Sequence, residues 1–159
     1  MIEKTIKYLG YFTALILCLL VVLVVYDATM RYLFSGGSVM MQELQWHLFD
    51  VVILFAIAYT LRENAHVRVD ILYHQFSPKI KALINAFAAL FFIFPFALLI
   101  IYLGLDFVEM SFVQHETSSD PGGLTHRYLV KALMPLSFVF LALQALEEVR
   151  KNITLWRKL

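Results

Sequence analysis

The chain has 159 residues, of which 61% are apolar and only 16% are charged, and its mean hydropathy is +0.76. Soluble domains are about 45–50% apolar and about 25% charged, so this composition excludes an ordinary soluble domain and indicates a membrane protein. The single cysteine, Cys18, excludes an intramolecular disulfide, and the net charge of +1 gives no sign of a nucleic-acid partner. We predict one all-α membrane domain over residues 1–159, with four transmembrane helices and short amphipathic interfacial helices.

The first predicted span covers about residues 9–30. Residues 9–26 carry no charge. This run is longer than the roughly 7–15 residues of a signal-peptide core and no small-residue cleavage site follows, so we expect the span to be retained. Asp27 and Arg31 come next, four residues apart on one helical face. Their spacing permits an ion pair, and the alternative is a solvated helix end without one.

A glycine-containing break separates the first two spans. Gly36 and Gly37 are predicted to end the first helix, and Ser38 is a potential N-cap of the next. The second span is predicted over about residues 44–61. It leads to a charged exit that includes Arg62 and His66, whose spacing of four predicts that they share a face and hold this end against a neighbouring segment or subunit.

Three polar side chains share a face at the start of the second span. Glu43, His47 and Asp50 follow one another at intervals of four and three residues. If the helix enters the membrane near Leu44, Asp50 lies about 9 Å along it, where a carboxylate faces protein or water rather than lipid. The alternative is a helix that starts deeper and leaves Asp50 at the headgroups. Cations available to these acids are Arg31, Arg127 and Lys131.

Residues 69–76 carry apolar side chains at helical spacing, which predicts a short amphipathic helix in the membrane interface. Ser77 and Pro78 then form the typical start of a helix, an N-cap followed by proline in the first turn. The third span is predicted at about residues 80–105, and Pro95 at its centre is expected to kink the helix.

The longest predicted loop covers residues 106–127, and its residues 120–123, Asp-Pro-Gly-Gly, predict a tight turn. We expect replacement of Glu116 in this loop by alanine to be tolerated. The spacing of the potential metal ligands in the loop fits no compact motif, so no metal site is expected; these residues are His115, Glu116, Asp120 and His126. The fourth span follows at about residues 129–149.

The basic residues are distributed unevenly over the two sides of this four-span arrangement. Ten of the 13 lie on the side of the two termini, and three lie on the other side. The positive-inside rule therefore predicts that the termini and the connection between spans two and three are cytoplasmic. The ten are Lys4, Lys7, Arg62, Arg68, Lys79, Lys81, Arg150, Lys151, Arg157 and Lys158.

Several short motifs occur in order along the chain. They are Arg31-Tyr32-Leu33-Phe34, Gln42-Glu43-Leu44, Arg62-Glu63-Asn64-Ala65-His66-Val67 with Asp70, Glu109-Met110-Ser111, and Pro135 ahead of Phe138. In this order the chain resembles the small membrane subunit of TRAP (tripartite ATP-independent periplasmic) transporters, the DctQ family. Ala56 departs from the pattern, since a glycine is expected in the middle of the second span.

The resemblance implies a scaffold subunit of a sodium-coupled, binding-protein-dependent importer of organic acids. Its partners would be the large membrane subunit, which carries the substrate and sodium sites, a periplasmic substrate-binding protein and membrane lipids. It implies a bacterial or archaeal cytoplasmic membrane, no enzymatic activity and no cofactor in this chain. Candidate residues for the subunit interface are Arg31, Glu43, His47, Asp50, Arg62, His66, Asp70 and Glu109.

Two other functions are compatible with four spans. A self-sufficient small oligomeric transporter would use Asp50 as its ion site. A haem-binding membrane anchor would need two histidines facing each other inside the bilayer, whereas His47 is the one histidine near a predicted span.

Overall fold

The computed structural model describes residues 2–65, 73 and 75–159. Within these residues the chain is helical, without strands. The helices are α1 (Ile2–Phe34), α2 (Val39–Arg62), α3 (Pro78–Ala88), a π-helical segment (Ala89–Ile93), α4 (Phe94–Val113), α5 (Tyr128–Lys131) and α6 (Leu133–Lys158). The predicted amphipathic helix of residues 69–76 lies largely outside the described residues.

Four continuous helical segments are long and apolar enough to cross a membrane. They are Ile2–Phe34, Val39–Arg62, Pro78–Val113 and Tyr128–Lys158. Even the shortest has 24 residues and extends about 36 Å, which exceeds the roughly 30 Å of a bilayer's hydrocarbon core. The predicted all-α fold with four membrane-spanning helices is therefore confirmed.

Helix α6 is the centre of the assembly, because it packs against α1, α2, α3, the π-helical segment and α4. The buried core where these helices meet consists of Leu61, Ala97, Leu141, Ala142 and Ala145. Three of these five side chains are alanines. Small side chains allow helix backbones to approach closely, and this packing replaces the hydrophobic driving force that is missing in lipid.

Two glycines mark the closest helix contacts. A Cβ atom on Gly10 of α1 would lie 2.7 Å or less from three ring atoms of Tyr59 in α2. A Cβ on Gly104 of α4 would lie 3.3 Å from Pro135 of α6. The crossing at Gly10 therefore requires the absence of a side chain, whereas at Gly104 a Cβ would need its neighbours to shift by a few tenths of an ångström.

Each proline inside a long helix coincides with an irregularity. The π-helical segment ends two residues before Pro95. Proline lacks the N–H that would bond to the carbonyl four residues earlier and its ring crowds that carbonyl, and a wider turn relieves this conflict. Ahead of Pro135, the helix is interrupted at Ala132, which separates α5 from α6.

The predicted helix ends are mostly confirmed. α1 ends at Phe34, and Ser35 then adopts a left-handed backbone with φ of 51°. The Ser77 hydroxyl accepts the Ile80 N–H at 3.4 Å, so Ser77 caps α3 as predicted. Ser38 occupies the N-cap position of α2, but its side chain makes no capping hydrogen bond.

Candidate functional site: a loop held on the second helix

A buried carboxylate at the start of α2 holds the connection between α4 and α5, residues 114–127, which we call the 114–127 loop. Glu43 accepts a hydrogen bond from the Ser118 hydroxyl and another from the Leu124 N–H. The Arg127 guanidinium lies 3.5 Å from the same carboxylate. One side chain of α2 thus binds three points of the loop. Of the three predicted cations, Arg127 is the one that pairs with Glu43.

The loop has internal hydrogen bonds that shape it for this contact. The Ser118 N–H donates to the Leu124 carbonyl at 3.0 Å, and the Gly123 N–H donates to the Asp120 carbonyl at 3.1 Å. Gly122 has φ of 81°, which a type II turn requires after proline. The predicted turn at residues 120–123 is therefore confirmed, and it presents the Leu124 N–H to α2.

Gly123 lies directly against Glu43. A Cβ atom at this position would lie 2.7 Å or less from Glu43 Oε2 and from the Oγ and Cβ atoms of Ser118. Even a methyl group would therefore displace the loop from the carboxylate.

We expect Gly123→Ala to detach the 114–127 loop from α2, because the added methyl group occupies the space of the Glu43 and Ser118 atoms. Hydrogen–deuterium exchange of the loop amides should accelerate about tenfold, the effect of losing roughly one charge-assisted hydrogen bond. Gly37→Ala is the matched control, since a Cβ there meets nothing within 4 Å. Equal exchange in Gly123→Ala and in the unmodified protein would contradict the close contact.

A second ion pair holds the loop to the start of the fourth span. The Lys131 ammonium donates to Glu116 Oε2 and also lies 4.0 Å from the centre of the Phe107 ring. The hydrogen bond and charge of Lys131 hold the pKa of Glu116 below its usual 4.5. The expectation that Glu116 is replaceable therefore lacks support, since this side chain is paired.

The lowered pKa of Glu116 predicts a loop that loosens in acid. A carboxylate whose pKa is lower in the folded state stabilises the fold above its unfolded value, and this contribution is lost as the pH falls through the folded value. Loop amide exchange, corrected for its intrinsic pH dependence, should therefore rise below about pH 4.5. Glu116→Gln should raise exchange at pH 7 and weaken its pH dependence. The unmodified protein and Glu116→Gln both retain Glu43, so the difference between their exchange profiles reports on Glu116 alone. Identical profiles of exchange against pH would contradict the prediction.

The remaining predicted site residues near α2 have different surroundings. Asp27 is 3% exposed and pairs with Arg31, so the predicted ion pair is confirmed. Asp50 is partly buried, and His47 precedes it by three residues on the same helical face. Within residues 2–65, 73 and 75–159, Asp50 has neither an ion pair nor a hydrogen bond.

The other candidates lie apart from the Glu43 site. Arg62 pairs with the adjacent Glu63, and its Nε is buried without a partner among the described residues. The predicted shared face of Arg62 and His66 assumed that the helix continues between them. Helix α2 ends at Arg62, so this assumption does not hold. Glu109 is exposed on α4. His66 and Asp70 lie outside the described residues.

The histidines and acids of the 114–127 loop serve separate contacts. Glu116 binds Lys131, and His126 lies 2.7 Å from the Thr125 hydroxyl. Among the residues that the structure describes, no three His, Cys, Asp or Glu side chains form a group able to hold a metal ion.

Sequence reasoning missed a polar network at the opposite end of the helices. The Gln144 amide donates to Glu148 at 2.9 Å, the Asn152 amide donates to the Glu148 carbonyl at 2.8 Å, and all three residues are buried. Lys151 pairs with Glu148 at 3.2 Å and with Glu3 of α1 at 2.6 Å. The spacing of four residues from Gln144 to Glu148 to Asn152, which places them on one helical face, was the sequence signal that could have indicated this network. This network joins the first and last helices, so both termini lie at the same end.

Four helices of membrane-spanning length around a small apolar core define a multi-pass membrane protein. Residues 20–155 match the model of the family described as "Tripartite ATP-independent periplasmic transporters, DctQ component". The matched region covers most of the chain, and the protein belongs to the DctQ family of TRAP transporter components. The chain matches none of the curated proteins with which it was compared.

Proposed function

We propose that this chain is the accessory scaffold subunit that stabilises the large membrane subunit of a TRAP transporter. The observation that carries the proposal is the pairing of its buried acids. Asp27, Glu43, Glu147 and Glu148 are each less than 9% exposed, and each has a cationic partner within the chain. None of these four acids is therefore free to serve an ion pathway, and removal of the cation from such a buried acid would destabilise the fold.

The family supports the more specific parts of this proposal. The large subunit would bind sodium and an organic acid, and a periplasmic substrate-binding protein would deliver that acid. The 114–127 loop is our proposed surface for the binding protein, because it is polar and held in one conformation by Glu43 and Glu116. The exposed apolar side chains of α1 and α4 would contact lipid or the large subunit.

We further propose that both termini are cytoplasmic and that the 114–127 loop faces the periplasm. The three basic residues at the loop end, against ten at the end with the termini, support this orientation. Cysteines introduced at Ser119 and Lys158, in a Cys18→Ser background, are expected to react with an impermeant thiol reagent from opposite sides of the membrane. Both positions are exposed, whereas Asn152 is buried and unsuitable for labelling. Reaction of both cysteines from one side would overturn the four-span topology.

A self-sufficient transporter is the second candidate, favoured by one observation, the partly buried Asp50 without a partner among the described residues. In that case Asp50→Asn would preserve assembly and abolish uptake, because the shape of the side chain is kept and its charge is lost. A scaffold predicts the opposite, that any effect on uptake follows the amount of large subunit that co-purifies.

A further inference from the structure

A groove of about 360 Å³ runs between α1 and α2 at the end nearest the 114–127 loop. It is separate from the Glu43 contact on the loop. The groove is lined by Leu20, Val24, Arg31, Gln42, Gln45, Trp46 and Phe49.

The polar side chains of this groove are rich in donors. Arg31 uses one terminal nitrogen for Asp27 and is 43% exposed, so its other N–H groups remain available. Trp46 is 67% exposed and has an indole N–H, which is a donor only. The amide nitrogen of Gln45 is shielded and has no hydrogen-bond partner among the described residues. Among the residues that the structure describes, no carboxylate lines the groove, which therefore favours an acceptor, above all a phosphate.

The polarity of the groove changes along its length. Val24 and Leu20 precede Arg31 by seven and eleven residues on α1, so they lie about 10 and 16 Å further into the membrane. Phe49 lies one turn beyond Gln45 on α2 in the same direction. The lining is thus donor-rich at the membrane surface and apolar at depth, as a phospholipid's headgroup and acyl chain require.

We propose that this groove binds a phospholipid, with its phosphodiester at Arg31, Gln45 and Trp46 and an acyl chain along Leu20, Val24 and Phe49. A helix of a partner protein fits less well. The backbone carbonyls of a partner helix are bonded within that helix, whereas a phosphodiester presents free acceptor oxygens to Arg31, Gln45 and Trp46. The proposal requires only that the chain lies in a membrane, so it stands or fails independently of the scaffold function.

Quenching of tryptophan fluorescence by brominated lipids tests this site directly. Trp156→Phe leaves Trp46 as the one tryptophan. The full chain is reconstituted in vesicles of digalactosyl diacylglycerol, which has no phosphate, and brominated lipids are titrated in. Brominated phosphatidylethanolamine and phosphatidylglycerol should both quench Trp46 at about fivefold lower mole fraction than the brominated galactolipid, roughly the effect of one basic group at a lipid surface.

Substitutions then test whether the preference for phospholipid over galactolipid arises at the donor side chains of the groove. Arg31→Gln combined with Asp27→Asn removes the cation without leaving an unpaired buried acid, and it should abolish the fivefold difference. Gln45→Leu should reduce it, whereas Arg157→Gln, at the other end of the chain's helices, should not change it. Equal quenching by all three brominated lipids in the unmodified protein would overturn the proposal, and so would an unchanged preference in the Arg31→Gln, Asp27→Asn protein.

The occupant in the assembled transporter is identified by photo-crosslinking. With p-benzoylphenylalanine in place of Phe49, illumination of membranes that contain the whole transporter should yield this chain with the added mass of one phospholipid. Crosslinking to another protein chain instead would assign the groove to that chain and overturn the proposal.

Discussion

Glu43→Ala is expected to release the 114–127 loop from α2 and to weaken assembly with the large subunit. The substitution removes the acceptor of the Ser118 and Leu124 hydrogen bonds and leaves Arg127 without its partner at the same time. Loop amides should exchange at least about tenfold faster, because two charge-assisted hydrogen bonds are lost together. Co-purification of the large subunit and uptake should fall in parallel.

Two variants sharpen this experiment. Glu43→Gln retains an acceptor for the Leu124 N–H but loses the charge that Arg127 faces, so its effect should be intermediate. Asp106→Ala is the matched control, because Asp106 is an exposed acid with no ion pair among the described residues. Wild-type exchange and assembly in Glu43→Ala would show that this acid is merely solvated at the surface.

Gly10→Ala should destabilise the protein by separating α1 from α2. The added methyl group overlaps the body of the Tyr59 ring rather than the far end of a flexible side chain, so the ring or the helices must shift. Overpacking of this kind costs about 1–3 kcal/mol, which should lower the unfolding temperature in detergent by several degrees.

The partner of Gly10 provides the critical control. Tyr59→Leu removes the ring that the new methyl group meets, so in the double variant most of the cost of Gly10→Ala should disappear. Gly36→Ala should be close to neutral, since the nearest atom to a Cβ there is 3.8 Å away. Additive losses in the double variant would show that the two residues do not meet.

Local features of this fold were predictable from sequence because their causes are local. Long uncharged runs indicated four spans, the spacing of Asp27 and Arg31 indicated their pair, and Ser77 before Pro78 indicated a cap. The spans depend on continuous apolar runs, and the pair and the cap depend on residues within about one helical turn, where geometry is set by the helix itself.

Contacts between distant segments were less accessible. Glu43 and Ser118 are 75 positions apart, and the sequence proposed three cations for Glu43 without selecting Arg127. The central position of α6 could not be predicted from the sequence either. Its Gln144 and Glu148 are buried, whereas polar residues at this place in the sequence are typical of the solvated end of a span. Which polar face turns inward depends on the packing of all four helices, and no local pattern specifies that.

Sodium-driven uptake in proteoliposomes tests the scaffold function most directly. Vesicles would contain the large subunit with this chain, the large subunit alone, or this chain alone, each supplied with the binding protein and its labelled organic acid. We predict uptake with both subunits, strongly reduced uptake without this chain, and none with this chain alone. Uptake by this chain alone, or full uptake by the large subunit without it, would contradict a scaffold role.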